Sequence, residues 1–572
     1  METCLSEFPI LGIDLGTTNS LVAHFTEEGP ILIPNAMGAF LTPSAVGLSD
    51  SGDLLVGQAA KDRLVSNPDI STARFKRYMG TDHMVRLGRK TFRPEELSAF
   101  ILRSLKADAE AHLQHPIDDA VISVPAYFND VQRKATIAAA QLAGLKVSRL
   151  INEPTAAALA YGLHRKDDES TFLVVDLGGG TFDVSILEMF SGVMEVRASA
   201  GDAFLGGEDF TDILVALLGK DLGRDDLGKG DLSRLRALAD EAKHKLSTSN
   251  DADIRYVLGG EQKHLSISAD RFEEATTQLV NRMKAPLQRA MRDANLGNDQ
   301  IDRIILVGGA TRMPIIKSAI TKLFKRFPEH DLDPDHVVAL GAAVQAGLAS
   351  RHQALDDIVM TDVAPFTLGI ETNHRVGPNG QTLPGYFAPI IERSTVIPAS
   401  RVERFNSVVP GQQKVELNVF QGEAPLVRDN VKIGTLSVPI PVNRNANEAV
   451  DVRFTYDTSG VLEVIATVVT NGEAHRLVIE GNPGALSQKD ILQRLAELDR
   501  IKVHPREEAV NAALIARITK AFENALGPQR KVLSAWLGEF EAILARQYPK
   551  EIAAARSQIT EELEALEKYD VY

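Results

Sequence analysis

The run Val175-Asp176-Leu177-Gly178-Gly179-Gly180-Thr181-Phe182-Asp183 constrains this chain more than any other stretch. The apolar segment Thr171–Val174 precedes it and Val184–Leu187 follows, so it reads as strand, glycine turn, strand. A P-loop or a dinucleotide fingerprint would feed a helix instead. Three consecutive glycines leave no Cβ between the backbone N–H groups and an anion. Asp176 and Asp183, on either side of the turn, are placed to face a cation that neutralises the same anion. Taken alone, the hairpin is equally an ordinary β-turn with solvated carboxylates.

A second copy shifts the balance. Ile10-Leu11-Gly12-Ile13-Asp14-Leu15-Gly16-Thr17-Thr18-Asn19-Ser20-Leu21-Val22 again reads as apolar strand, Asp-Leu-Gly, Thr, apolar strand. Its distance from the first implies two related lobes with a phosphate clamp between them. Ile304–Val307, Gly308-Gly309 and Ala310–Pro314 form a third element: buried strand, glycine turn, helix start. Bare backbone there lets a flat base approach. Two phosphate hairpins and one nucleoside turn, in this order, are the pattern of the actin-like ATPase fold.

The 572 residues exceed one hydrophobic core, so several domains are expected. A formal charge of −15 argues against nonspecific nucleic-acid binding. With Cys4 as the single cysteine, an internal disulfide is impossible and a zinc cluster is not expected. No apolar run reaches the length of a membrane span, and acids stand near the N-terminus where a signal peptide carries Lys or Arg. The expected address is the cytoplasm, with no membrane and no nucleic-acid partner.

Residues 1–356 alternate strand and helix signals, an α/β pattern. Lys76-Arg77 lie beside Phe75 and Tyr78, which fits a solvated turn. Ala120–Val124 ends at Pro125 and leads through Asn129 into an alanine-rich helix from about Asp130 to Ala143. Asn152-Glu153-Pro154 opens another helix, with Pro154 suited to its first turn. Glu153 serves there as a capping carboxylate or as a contact to hydrated magnesium. The segment 357–363 is apolar between acids, unlike a flexible polar linker. It is either a first strand of the next domain or a docking element. Residues 364–484 read as short alternating strands of a β-sandwich, and 485–572 as helices. Ser487 with Asp490 resembles a capping box, and Pro505, Gly527-Pro528 and Pro549 mark helix boundaries. Trp536 falls on an apolar stripe and reads as core.

The motifs DLGTTNS, VPAYFND, NEPTAAALAYG, DLGGGTFDVS, LGGEDF, LVGGATRMP and ALGAAVQAG together resemble the seventy-kilodalton heat-shock chaperone family, the DnaK-type proteins, most closely its HscC-like bacterial branch. The resemblance runs from about residue 9 to about 500. It implies a multidomain protein: an actin-like α/β ATPase domain, then a β-sandwich peptide-binding domain and a short α-helical lid. Asp14, Glu153 and Asp176 would hold Mg2+ through water. Gly16, Thr17, Thr18, Asn19, Gly178, Gly179, Gly180, Gly206, Gly207 and Glu208 would surround the phosphates of ATP or ADP. Lys76, Asp183 and Thr181 would act in hydrolysis, with Glu153 and Asp176. The nucleoside would meet Asp240, Lys243, His244, Ser247, Gly308, Gly309, Arg312 and Asp335.

The family has Glu, Arg and Ser where this chain has Asp240, His244 and Ala310, which implies weaker and more pH-sensitive nucleotide affinity. Ile358, Val359, Met360 and Asp362, with Pro125 and Arg133, align with the parts that couple linker to ATPase. Thr361 is polar where the family has an apolar residue, so weaker docking is expected. Ile370, Thr372, Phe405, Val408, Val415 and Leu417 align with the peptide pocket. Asn373 replaces an arching methionine, which implies more polar clients. The resemblance further implies extended polypeptide clients, a J-domain co-chaperone, an exchange factor and a monomer. A sugar or acetate kinase on the same fold would need a base aimed at a substrate hydroxyl and no apolar-groove sandwich. A filament protein would need adhesive lobe faces.

Overall fold

A computed structural model describes residues 9–162, 169–190, 193–223, 227–258, 261–329, 332–350, 355, 359–376, 381–457, 460–479, 509–525, 527–546 and 549–569. Two sheets of related topology form its first part. In the first, Leu11–Asp14, Asn19–Thr26 and Gly29–Ile33 make an antiparallel meander. Asp119–Val124 and Lys146–Asn152 then add in parallel on the other side of Leu11–Asp14. In the second, Ser170–Leu177, Phe182–Phe190 and Val193–Asp202 repeat the meander, and Arg303–Val307 adds in parallel to Ser170–Leu177. A parallel bridge from Ile305 to Glu329 marks where the second sheet's further strand would run. The repeat read from the two glycine hairpins is thus a repeat of sheet topology.

The parallel strands are apolar on both faces because helices cover both. Ala120, Val121 and Ile122 are fully buried: Ala120 and Ile122 face the first lobe's core, and Val121 faces the core between the lobes. That middle core holds the helices Glu153–Gly162 and Val337–Ala349, which cross at small residues. A Cβ on Gly341 would stand 1.7 Å from the Ala156 carbonyl oxygen, and one on Gly12 would stand 2.1 Å from Ala343 N. The alanine-rich helix runs Asp130–Leu142, and Asn129 caps it by accepting from Gln132 N at 3.0 Å.

Val359–Val363 then runs parallel to Val193–Glu195 and antiparallel to Val396–Ile397. One six-stranded sheet therefore spans the junction. Beyond it lie two four-stranded antiparallel sheets around a common core of Leu368, Val419, Val452, Phe454, Val464 and neighbours. The helices Ala509–Asn524, Gly527–Arg546 and Pro549–Tyr569 close on their own core of Ile518, Leu533, Phe540, Leu563 and neighbours, with Trp536 packed against it. Pro549 opens the last helix. Ser487, Asp490 and Pro505 lie outside the described residues. Among the described residues no helix is long and apolar enough to cross a membrane.

Candidate functional site

The two glycine hairpins meet point to point between the lobes. In the second, Asp176 pairs with Asp183 and Leu177 with Phe182, leaving Gly178–Thr181 as the turn. A Cβ on Gly179 would stand 2.0 Å from Thr18 Oγ1, and one on Gly180 2.7 Å from Thr17 Oγ1. A third loop nests beneath: Gly207 N donates to Gly178 O and Glu208 N to Gly179 O, both at 2.9 Å. A Cβ on Gly206 would lie 2.5 Å from Gly179 O. Gly180 and Gly206 therefore serve the close packing of loops. Gly16, Thr17, Thr18, Asn19, Gly178, Gly179, Thr181, Gly207 and Glu208 line a cleft of about 450 Å³.

One wall of the cleft is acidic. Lys76 Nζ, almost fully buried, sits 2.8 Å from Glu153 Oε1, so the expected solvated turn is instead an interior one. Ser123 Oγ donates to Asp14 Oδ1 at 2.8 Å. Desolvation, then the nearby Glu153 carboxylate, pushes Asp14 up to about 7, with Lys76 opposing. The same two causes raise Asp176 well above the carboxylate range, and Asp183 to about 8. Asp183 stands behind this wall, 1% exposed, accepting from Tyr127 N at 2.9 Å. Four carboxylates against one ammonium leave an excess of negative charge that a divalent cation would relieve. Among the described residues no three His, Cys, Asp or Glu groups converge closely enough to chelate a metal directly. A magnesium ion held through its water shell fits this donor set.

The opposite end is built by Gly308-Gly309 and the helix Lys229–Lys245. Asp240, Lys243, His244, Ser247, Ala310, Arg312 and Asp335 all line the cleft there. Lys243 Nζ lies 2.7 Å from Asp240 Oδ1 and 2.8 Å from Thr211 Oγ1. Asp240 stays below the usual carboxylate range: burial opposes this, but the nearby His244, 3.7 Å away, and the bonded Lys243 ammonium outweigh it. Arg312 is held by Asp333 at 2.6 Å and Asp335 at 2.7 Å. Between the lobes, Arg77 reaches Asp209 at 2.7 Å and Arg74 reaches Glu208 at 3.2 Å.

At the junction, Asn152 Nδ2 donates to Asp362 Oδ2 at 3.4 Å, and Arg133 Nη2 donates to Asn152 Oδ1 at 2.7 Å. Met360 packs on the core between the lobes. Pro125 ends its strand and accepts from Phe128 N. Ile358 lies outside the described residues. Several contacts here carry no sequence signal. Arg393 holds Asp293 at 2.7 Å and also pairs with Glu423. Gln421 Oε1 accepts from Asp130 N at 2.8 Å, and Phe366 lies 4.7 Å from the Tyr127 ring.

In the first four-stranded sheet, Leu368–Val376 pairs with Lys414–Gln421 at Leu368–Ile370 and then diverges from it. Its hairpin with Gln381–Ile391 continues as far as the pair Val376 and Gln381. A gap opens between two strand edges, bridged at its root by Asn418 Nδ2 donating to Glu371 Oε2 at 2.9 Å. Ile370 and Leu417 belong to the sandwich core, and Phe405 and Val415 pack against it. Val408 is half exposed, Asn373 is exposed, and Thr372 Oγ1 donates to Tyr386 O at 3.4 Å.

A two-lobed protein whose glycine turns line the cleft between the lobes, beside an excess of desolvated carboxylates, has the features of the nucleotide-dependent class. The family model described as Hsp70 protein matches residues 10–86 and 83–570. The chain is 42% identical over 510 residues to the chaperone protein DnaK of Thermotoga neapolitana, covering 86% of this chain and 83% of that protein. It is 43% identical over 500 residues to the chaperone protein DnaK of Thermosipho melanesiensis, covering 84% and 82%. The chain belongs to the seventy-kilodalton heat-shock chaperone family. It is an ATP-dependent molecular chaperone, and its enzymatic activity is that of an ATPase.

Proposed function

We propose that residues 1–356 form an actin-like ATPase domain, 357–363 its coupling linker, 364–484 a client-binding β-sandwich and 485–572 a helical lid. ATP lies across the cleft, its phosphates on Gly16–Asn19 and Gly178–Thr181, its base between His244 and the Gly308–Arg312 turn. Asp14, Glu153 and Asp176 hold hydrated Mg2+, which supplies charge neutralisation at the phosphates. Lys76 positions water near the terminal phosphate, with Thr181 and Asp183 beside it. The work is alignment and electrostatic stabilisation rather than covalent catalysis.

The observation that carries this reading is the linker strand added to the edge of Val193–Asp202. In that arrangement the sandwich touches the ATPase lobes through Arg393, Gln421 and Phe366, and the gap beside Leu368–Val376 is open. We assign it to the ATP-bound state; hydrolysis undocks the linker and closes the gap on an extended client. The two sites are then reciprocally coupled, by roughly 1–3 kcal/mol, or 5- to 150-fold in affinity. A J-domain partner and an exchange factor complete the cycle of a monomeric cytoplasmic chaperone.

The test is the release rate of a labelled extended apolar peptide with and without magnesium-ATP, in the wild type and in Lys76→Ala. ATP accelerates release in both, because binding alone opens the gap. Release that ignores ATP in both would sink the coupling.

A further inference from the structure

The hairpin Leu368–Val376/Gln381–Ile391 extends beyond the point where the sheet stops pairing, so its outer half forms an arm along one side of the gap. On that arm His374 is exposed, and its ring lies 4.9 Å from the ring of Tyr386, inclined by 35°. Tyr386 is the ladder partner of Thr372, so the two rings are diagonal neighbours on one face.

An extended segment entering the gap adds as a strand against the arm's open edge. Its side chain across from His374 then lies on the same face as the two rings. We propose that His374 and Tyr386 form an aromatic selector, taking an aromatic client side chain as the third ring of a ladder. This inference rests on the client gap proposed above. It assigns to that gap a preference for an aromatic over an aliphatic side chain of similar size, which burial of apolar area alone does not supply. Ring–ring contact contributes about 0.5–1.5 kcal/mol beyond buried area, or roughly 2- to 13-fold in affinity.

The experiment uses the full chain with ADP and pairs of labelled peptides in which Leu is exchanged for Phe at one position at a time. At one position the Phe peptide should bind about 2- to 13-fold more tightly. His374→Ala and Tyr386→Ala should each bring that ratio close to one, and His374→Phe should keep it. Persistence of the ratio in both alanine variants, or no favoured position in the wild type, overturns the proposal. Val415→Phe, which fills the gap, should abolish both peptides. If both still bind, the gap is not the client site, and the selector fails together with it rather than alone.

Discussion

Replacing Arg393 with Ala tests how the two four-stranded sheets are held to the first two lobes, the proposed ATPase domain. Arg393 Nε lies 2.7 Å from Asp293 Oδ2, and Nη2 lies 3.1 Å from Asp293 Oδ1, a two-pronged pair of the kind a planar guanidinium makes best. A third nitrogen pairs with Glu423, whose carboxylate also accepts from Thr367 N at 2.9 Å. The side chains of Asp293 and Glu423 are only 14% and 24% exposed. Truncation would leave two carboxylates partly desolvated in the docked state and hydrated in the undocked one. Losing one partner of a buried charge pair costs 2–5 kcal/mol, and Arg393 at 30% exposure belongs near the lower bound. About 2 kcal/mol is a roughly 30-fold fall in the docked-to-undocked ratio. The assay is proteolysis at the linker with magnesium-ATP, alongside ATP-stimulated peptide release. Arg393→Ala should expose the linker and lose most of the ATP effect, while Arg393→Lys, which keeps the charge without the fork, should fall between. A variant with full linker protection and full ATP-stimulated release would refute the argument that this pair holds the docked state.

Other consequences can be read from single atoms. Thr361 Oγ1 is buried in the docked linker without a hydrogen-bond partner, a cost of about 1–3 kcal/mol, so Thr361→Val should raise linker protection at subsaturating ATP, and Thr361→Ser should not. Burial raises the Asp362 carboxyl in the docked state, with its bond from Val363 N and the charges of Arg149 and Arg133 opposing. A raised carboxyl favours docking below the ordinary carboxylate range, and that contribution is lost as pH rises through the raised value. Linker protection should therefore strengthen on mild acidification, and Asp362→Asn should flatten the profile. Gly341→Ala places a methyl where the Ala156 carbonyl stands, and a loss of about 1–3 kcal/mol should appear as a lowered Tm of the first two lobes.

Much of the architecture was legible because it repeats locally. Each glycine hairpin carries its strand, its turn and its aspartate within a dozen residues, and each folds as read. The cleft residues Thr17, Gly179, Lys243 and Arg312 converge because those local units fix their own geometry. Other features needed the assembled molecule. Lys76 reads as surface from its neighbours and becomes interior because Glu153, on a distant helix, folds over it. Ile370 and Leu417 alternate as strand residues do, and alternation alone does not say what the inner face meets; both belong to the core shared by the two four-stranded sheets. Arg393 and Asp293 are a hundred residues apart, and neither stands in a motif.

The strand Val193–Asp202 has a further property once the linker leaves. It becomes a free sheet edge, the kind of surface that recruits strands from other chains. The linker covers Val193–Glu195 and is covalently attached, so it competes for that edge against any other strand at a high effective concentration. The rest of the edge is guarded by charge: Arg197 stands between Glu188 at 3.4 Å and Glu195 at 3.7 Å. A protein that handles unfolded chains is surrounded by adhesive strands, and in the proposed cycle this margin of its own would open each time the linker left. In that cycle the tethered strand and the charged flank would together keep the chaperone from aggregating with its clients.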